Sequence, residues 1–330
     1  MSETLLKVDD LKVHFPMRAA QWLGGTGAPV RAVDGVSLDL KTGETLGIVG
    51  ESGCGKTTLG RAILRLIEPT DGRVLWMGQD LLGLDDRAMR LTRRHMQIIF
   101  QDPLASLDPR MSVEKIIAKP LRTFHPDLGR GEIRARVLET MALVGLSPSM
   151  ANRFPHEFSG GQCQRIGIAR AIILKPKLIV CDEPVSALDV SIQAQIINLL
   201  MKLQRELDIS LLFISHNLAV VRHISHRVMV LYLGKVVEIA GRDELYARPL
   251  HPYTQALMSA VPIADPRVER GRERILLEGD LPSPINPPPG CRFQTRCPKA
   301  NELCLRVEPQ LSDRGNDHLA ACHHVDVRSI

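Results

Sequence analysis

A chain of 330 residues, 44% hydrophobic and 24% charged, has enough apolar content to bury one large core or two smaller ones, which excludes an intrinsically disordered protein. Its net charge of +5 is small for this length and no Lys/Arg block is interleaved with aromatics, so composition gives no support to nucleic-acid binding and allows only a mild attraction to acidic surfaces. The opening MSETLLKVDD lacks the basic start and apolar run of a signal peptide, and no apolar run approaches the ~20 residues of a membrane helix, so a cytosolic chain is expected.

In chain order, LLKVDDLKVHF (5 to 15) and VSLDL (36 to 40) alternate like strands of an antiparallel flank, with RAAQWLGGTGAP between them. LGIVG (46 to 50) reads as a buried strand and KTTLGRAILRLI (56 to 67) as the helix after it. QIIF (97 to 100) is a further strand, and from 111 to 158 the pattern turns helical in EKIIAKPLRTF and RARVLETMALVGL. The buried runs LIVCD (178 to 182), LLFIS (211 to 215) and VMVLYL (228 to 233) follow. Such alternation predicts an α/β fold with a mainly parallel sheet. Beyond residue 245 prolines crowd in, and LPSPINPPPGC suits an extended strap. The expected organisation is a domain over 1–245, with a helical subdomain at about 102–165, and a C-terminal appendage over 246–330.

GESGCGKT, from Gly50 to Thr57, follows a strand and opens a helix, the context a phosphate-binding loop requires. Glycines let successive backbone N–H groups close around phosphate oxygens, and the helix N-terminus adds partial positive charge. Lys56 would reach the β and γ phosphates and Thr57 would ligate Mg²⁺. A Gly-rich turn with no ligand is the alternative. Asp182 and Glu183 emerge at the carboxyl end of an apolar strand, where parallel sheets bind ligands. Asp182 would hold Mg²⁺ directly or through water, and Glu183 would polarise a water for attack on the γ-phosphate. His216 and Gln101, each just past a predicted strand, carry little in isolation.

FSGGQCQRIGIARA (158 to 171) decides between these readings. It resembles the signature stretch of ABC-transporter ATPases, and the other motifs fall in that family's order: the phosphate-binding loop, Gln101, the signature, Asp182 and Glu183, SALD at 186 to 189, and His216. The resemblance implies a P-loop (RecA-like) parallel-sheet core with an antiparallel β flank and a helical subdomain. It implies an ATPase in which Gly50, Glu51, Ser52, Gly53, Cys54, Gly55, Lys56, Thr57, Thr58 and Gln101 bind nucleotide, and Thr57, Gln101 and Asp182 serve Mg²⁺. Glu183 and His216 are then catalytic. Two cassettes would bind head to tail, so that Ser159, Gly160, Gly161 and Gln162 contact the partner's ATP, with Ser186, Ala187, Leu188 and Asp189 as the D-loop. Phe15 would stack on adenine, against the alternative of a core phenylalanine. Cys54 and Cys163 replace no phosphate donor, although Cys54 would confer thiol sensitivity.

QDPLASLDPR, PVSALDVSIQAQIINLL, HPYTQAL and LPSPINPPPGCRF resemble the dipeptide and oligopeptide importer branch, and its F-type subunit in particular. The implied partners are a second ABC ATPase subunit of the D type, two membrane-spanning permease subunits and, indirectly, an extracytoplasmic peptide-binding protein, with no nucleic acid. The implied place is peripheral, on the cytoplasmic face of the membrane. EKIIAKPLRTF is the candidate for part of the contact with membrane subunits. An importer ATPase for another solute such as nickel, a soluble ABC ATPase and a P-loop kinase are the alternatives.

Four of the seven cysteines, Cys291, Cys297, Cys304 and Cys322, lie in the appendage. Their C-x5-C-x6-C-x17-C spacing lacks the C-x2-C knuckles of common zinc sites, and a reducing cytosol disfavours disulfides. A 4Fe-4S cluster is the expectation, in keeping with relatives of the importer branch, with zinc disfavoured and four packed thiols as the alternative. His323 and His324, beside Cys322, read as exposed tail residues, with substitute ligands as the alternative.

Overall fold

The computed structural model describes residues 3–17, 27–261 and 274–325; most of RAAQWLGGTGAP, residues 18–26, lies outside them. The strands and helices begin with β1 (Thr4–Met17), β2 (Gly27–Lys41), β3 (Thr45–Val49), α1 (Lys56–Ile63), β4 (Asp71–Trp76), β5 (Gln79–Asp80) and α2 (Asp86–Thr92). Next come β6 (Met96–Ile99), α3 (Val113–Phe124), α4 (Arg130–Leu143), α5 (Gly160–Ile172), β7 (Leu178–Asp182) and α6 (Val190–Leu207). The chain then forms β8 (Ser210–Ile214), α7 (Leu218–Ile224), β9 (Arg227–Tyr232), β10 (Lys235–Gly241), α8 (Arg242–Ala247) and α9 (Pro252–Ser259). After residue 274 come α10 (Glu302–Arg306), β11 (Ser312–Asp313) and β12 (Leu319–Ala320). Among the described residues, no helix is long and apolar enough to cross a membrane.

Contacts divide the chain into two compact units. The first holds the residues up to Leu5, Leu40–Thr45 and Asp80–Ser215. Here β6, β7 and β8 run parallel, with Met96 opposite Leu178 and Leu178 opposite Ser210. Every residue of β7 and β8 is buried, which explains why both read as unbroken apolar runs instead of alternating ones. In α6, Ile196, Ile197, Leu200 and Leu203 recur at helical spacing and are buried, and Gln204 donates from Nε2 to Gly43 O at 3.0 Å and Thr45 Oγ1 at 2.7 Å. Helix α3 packs on α4 and α5. Its apolar stripe, Val113, Ile116, Ile117, Ala118 and Leu121, is turned into that packing. The apolar stripe of EKIIAKPLRTF is therefore buried inside the subdomain, while Lys115, Lys119 and Arg122 are exposed and Pro120 and Phe124 are half-buried.

The second unit holds Leu6–Asp39, Leu46–Gln79 and the residues from His216 onward. The flank is antiparallel as expected: β1 lies between β2 and β4, with Leu6 opposite Trp76 and a register shift between Asp9 and Lys12. Strand β3 pairs in parallel with β9, and β9 folds back on β10 through Leu233 and Gly234, both at positive φ. The appendage differs from a simple strap. Its β12 pairs with β10, Glu238 opposite Ala320, and β11 pairs with β12. Sequence patterning misses both strands because each is two residues long.

Two buried acids join the appendage to the rest of this unit. Glu238, fully buried in the middle of VVEIA, accepts from Leu250 N–H at 2.7 Å, His251 N–H at 2.9 Å and His318 Nε2 at 2.6 Å. Asp34 on β2 accepts from His14 Nε2 at 2.8 Å and from Arg292, whose other nitrogen donates to Leu233 O at 2.6 Å. Burial would raise the Asp34 pKa, but His14 and Arg292 outweigh it and hold the carboxyl below its ordinary range.

His251 is buried, and its Nδ1 accepts from Tyr253 N–H at 3.1 Å to cap α9. Burial pushes its imidazole from 6.5 down to about 4, against an upward pull from Glu238. Below pH 6.5 the unfolded chain takes up a proton that the folded chain refuses, so stability falls as pH drops towards 4. This linkage amounts to at most about 3 kcal/mol, because each tenfold loss of proton affinity on folding corresponds to about 1.4 kcal/mol. His251→Asn keeps a capping acceptor without the titration. Chemical unfolding at pH 7 and pH 4.5 should show a smaller acid loss in the variant than in the wild type; equal losses would remove His251 from the account.

Candidate functional site

The strand β3 delivers the chain into a loop that must turn sharply to start α1 with its amides exposed. Gly53 and Gly55 take φ of +79° and +105°. At Gly55, the N-cap of α1, an added Cβ would lie 2.0 Å from Ala32 O, so backbone conformation and close approach both demand glycine. Lys56 is buried and donates from Nζ to Gly50 O at 2.8 Å and Glu51 O at 2.9 Å, which folds the ammonium back over its own loop. Cys54 is fully buried, and burial pushes its thiol pKa up despite Lys56 nearby. The expected thiol sensitivity is thus opposed by both access and protonation. Phe15, near the end of β1, is 39% exposed, which removes the core-phenylalanine alternative.

In the first unit the ends of two adjacent parallel strands bring a pair of predicted residues together. Gln101, just past β6, donates from Nε2 to Glu183 Oε2 at 3.1 Å. Glu183, just past β7, has φ of +46°, a left-handed conformation costly for a residue with a side chain. Its N–H donates to Ile214 O at 3.0 Å, and its carbonyl accepts from Ser186 Oγ at 3.1 Å. The turn thereby re-aims the chain so that Asp182 is buried while Glu183 keeps partial exposure. His216, just past β8, is exposed.

Ser159 caps α5 in a reciprocal box: its Oγ accepts from Gln162 N–H at 3.4 Å, and Gln162 Oε1 accepts from Ser159 N–H at 3.0 Å. A Cβ on Gly161 would meet Ile192 of α6 at 2.6 Å, so the signature glycines also set how α5 meets the segment after the D-loop. Asp189 is the N-cap residue of α6, and Leu188 O accepts from Gln193 Nε2 at 2.9 Å. One residue was not foreseen. Arg170, late in α5, donates to Ser106 O at 2.6 Å and lies 5.8 Å over the Phe100 ring, fastening the loop after Gln101 to the signature helix.

The appendage reaches the phosphate-binding loop directly. Glu51 N–H donates to Tyr253 Oη at 2.8 Å, and Arg296 Nη1 donates to Glu51 Oε2 at 2.8 Å. Tyr253 belongs to HPYTQAL and Arg296 to CRFQTRC, segments that the sequence marks without giving these two residues a role.

Gln101 and Asp182, both in the first unit, carry hard oxygen donors of the kind Mg²⁺ takes, and Thr57 of the second unit carries another. With its nitrogen donated to Glu183, Gln101 offers its carbonyl oxygen. Burial first, then neighbouring thiols, push Cys291 up to about 11, and Cys297 and Cys322 are raised for the same reasons. His324 is exposed as expected, and its Nε2 stands 3.5 Å from Cys304 Sγ. Among the described residues, no three His, Cys, Asp or Glu converge enough to hold a metal ion, which gives support neither to zinc nor to the expected 4Fe-4S cluster.

Residues 33–186 match the family model described as ABC transporter, and residues 237–304 that described as the oligopeptide/dipeptide transporter C-terminal region. An oligopeptide transport ATP-binding protein of Salmonella typhimurium is 60% identical over 98% of this chain and 97% of its own length. One from Bacillus subtilis is 55% identical over 97% of each. Among solved structures, a dimeric ATP-binding cassette in a post-hydrolysis state with ADP and Pi superposes with a TM-score of 0.63 at 29% identity, covering 72% of this chain and 98% of that one. A component of an ABC transporter complex from Clostridium perfringens gives 0.63 at 27% identity, covering 74% of this chain and 92% of that one.

The two loop glycines differ in a measurable way. Gly53→Ala meets open space and bears only the left-handed cost of about 1–2 kcal/mol. Gly55→Ala adds a backbone collision and should lose roughly twice as much. Thermal unfolding of both variants side by side checks this, and equal melting temperatures would contradict the close approach at Ala32.

Proposed function

The chain belongs to the ABC transporter family, among its oligopeptide transport ATP-binding proteins, and on that premise we propose that it is the ATP-hydrolysing subunit that energises import of dipeptides or oligopeptides across the cytoplasmic membrane. The observation that carries the ATPase reading is Glu183, held in a left-handed turn at the carboxyl end of β7 with Gln101 on its carboxylate. The peptide reading rests on the relatives and on the C-terminal region they share with this chain.

In this mechanism the loop amides from Gly50 to Thr57, Lys56 and the N-terminus of α1 bind the phosphates, while Phe15 stacks on adenine. Thr57, Gln101 and Asp182 would hold Mg²⁺, which when bound would supply charge neutralisation at the phosphates. Glu183 polarises the attacking water and His216 contacts the γ-phosphate. Ser159 to Gln162 serve the ATP of a second cassette, with residues 186 to 189 as the D-loop between subunits. The γ-phosphate then favours the closed dimer by contacts ADP lacks, and hydrolysis reopens it. The second cassette is a D-type paralogue, and two permease subunits dock by the loop after Gln101, where Leu104 is an exposed apolar residue. An extracytoplasmic peptide-binding protein delivers the cargo, and the chain works peripherally on the cytoplasmic face. Residues 1–245 form the cassette, with the helical subdomain over about 102–165, and 246–330 the importer-type extension.

Cys291, Cys297, Cys304 and Cys322 hold a 4Fe-4S cluster in this reading. What supports it is the presence of four cysteines within one short extension, residues 291 to 322, the number of ligands such a cluster takes. The cluster would staple a segment whose regular elements are very short.

Glu183→Gln keeps the geometry and removes the base. It should lower ATP turnover at least about 100-fold while ATP drives stable dimerisation, read by size-exclusion chromatography; undiminished turnover would refute the role of Glu183. Anaerobically purified protein should be brown with about four irons per chain, and a colourless protein carrying zinc would reject the cluster.

A further inference from the structure

Residue 51 of the phosphate-binding loop is held from outside the loop at two points. Its N–H donates to Tyr253 Oη at 2.8 Å, and its carboxylate accepts from Arg296 Nη1 at 2.8 Å. Its carbonyl, together with that of Gly50, carries the Lys56 ammonium. Whatever fixes residue 51 therefore fixes where Lys56 rests and how the first turn of the loop is presented.

Both outside groups are themselves rigid. Tyr253 is fully buried and its ring meets Tyr232 at 4.7 Å and Phe293 at 5.4 Å, in a cluster completed by Tyr232 against Phe293 at 5.3 Å. Arg296 is only 9% exposed. It stands in the tight turn between Cys291 and Cys297, whose backbone is closed by Gln294 N–H to Cys291 O at 3.0 Å and Arg296 N–H to Phe293 O at 3.0 Å. Burial works against the Arg296 charge, but Glu51 and the neighbouring Tyr232 hydroxyl more than offset it. A charge-assisted bond this sheltered is far less screened than a surface pair.

We propose that Arg296 is a positioning residue for ATP hydrolysis, which from the cysteine-bearing turn of the extension holds Glu51 and so presets the phosphate-binding loop for nucleotide. The proposal rests on the ATPase reading above. Arg296 acts through Glu51 and not on the reacting atoms, so its loss costs ground-state binding more than chemistry. The extension is thereby a support for the nucleotide site, and disturbance of the turn that carries Cys291 and Cys297 reaches the loop through one side chain.

Steady-state ATP hydrolysis by the full-length chain assembled with its second cassette and permease subunits tests this, with the melting temperature of the chain measured alongside. Arg296→Gln should raise KM for ATP by roughly three- to tenfold with kcat within about twofold, and Arg296→Lys should recover part of the loss. Glu51→Gln should raise KM to a similar degree, and the double variant should be no worse than either single one. An unchanged KM in Arg296→Gln, with only its melting temperature lowered, would reduce Arg296 to a structural residue and overturn the proposal, as would additive effects in the double variant. Should Arg296→Gln fail to fold, Glu51→Gln decides by itself, because its replacement lies on the loop side: an unaltered KM there overturns the proposal. A wild-type assembly with no ATPase activity would instead defeat the functional reading on which the proposal stands.

Discussion

A carboxylate with no access to water organises the second unit. Glu238 sits at the centre of β10 with its side chain fully buried, and a charge in that position is tolerable only if donors replace the lost hydration. Three do: the N–H groups of Leu250 and His251 and the imidazole of His318. They come from the turn before α9 and from the segment leading into β12, so satisfying one acid brings two distant pieces of the extension onto the same strand. With that turn in place, α9 presents Tyr253 to the phosphate-binding loop.

The chemistry is built from complementary kinds of local constraint. In the phosphate-binding loop, glycines accept conformations that side chains resist, and the backbone gains the freedom to aim its amides. At Glu183 the opposite choice is made, and a residue with a long side chain occupies the left-handed region. The surrounding bonds, to Ile214 O, from Ser186 Oγ and from Gln101, over-determine that turn and hold the carboxylate where a regular strand would not. Arg170 extends the same logic to the signature helix, because its guanidinium spans from a loop carbonyl to the face of Phe100.

Much of this was legible beforehand. The five buried runs became β3, β6, β7, β8 and β9 within a residue or two, because strands buried on both faces must be apolar throughout. The phosphate-binding loop and the acidic pair stood out because their chemistry depends on residue type at fixed local spacing, whereas Gln101 and the signature were read only through the family resemblance. β10 was less so, since Glu238 interrupts its apolar run, and the apolar stripe of α3 announced burial without saying against what. A hydrophobic face looks the same in sequence whether it meets its own subdomain or a membrane partner.

The sequence by itself determined the five buried strands, the phosphate-binding loop and the acidic pair, which follow from local periodicity and short spacings, and through the resemblance of its ordered motifs it determined the family. Only the tertiary structure decided that the extension adds strands to β10, that His324 lies against Cys304, and that Arg296 holds Glu51 across 245 positions of sequence. Such pairings are set by the burial of charge and by the packing of Tyr232, Tyr253 and Phe293, energies that depend on distance in space and leave no periodic trace along the chain.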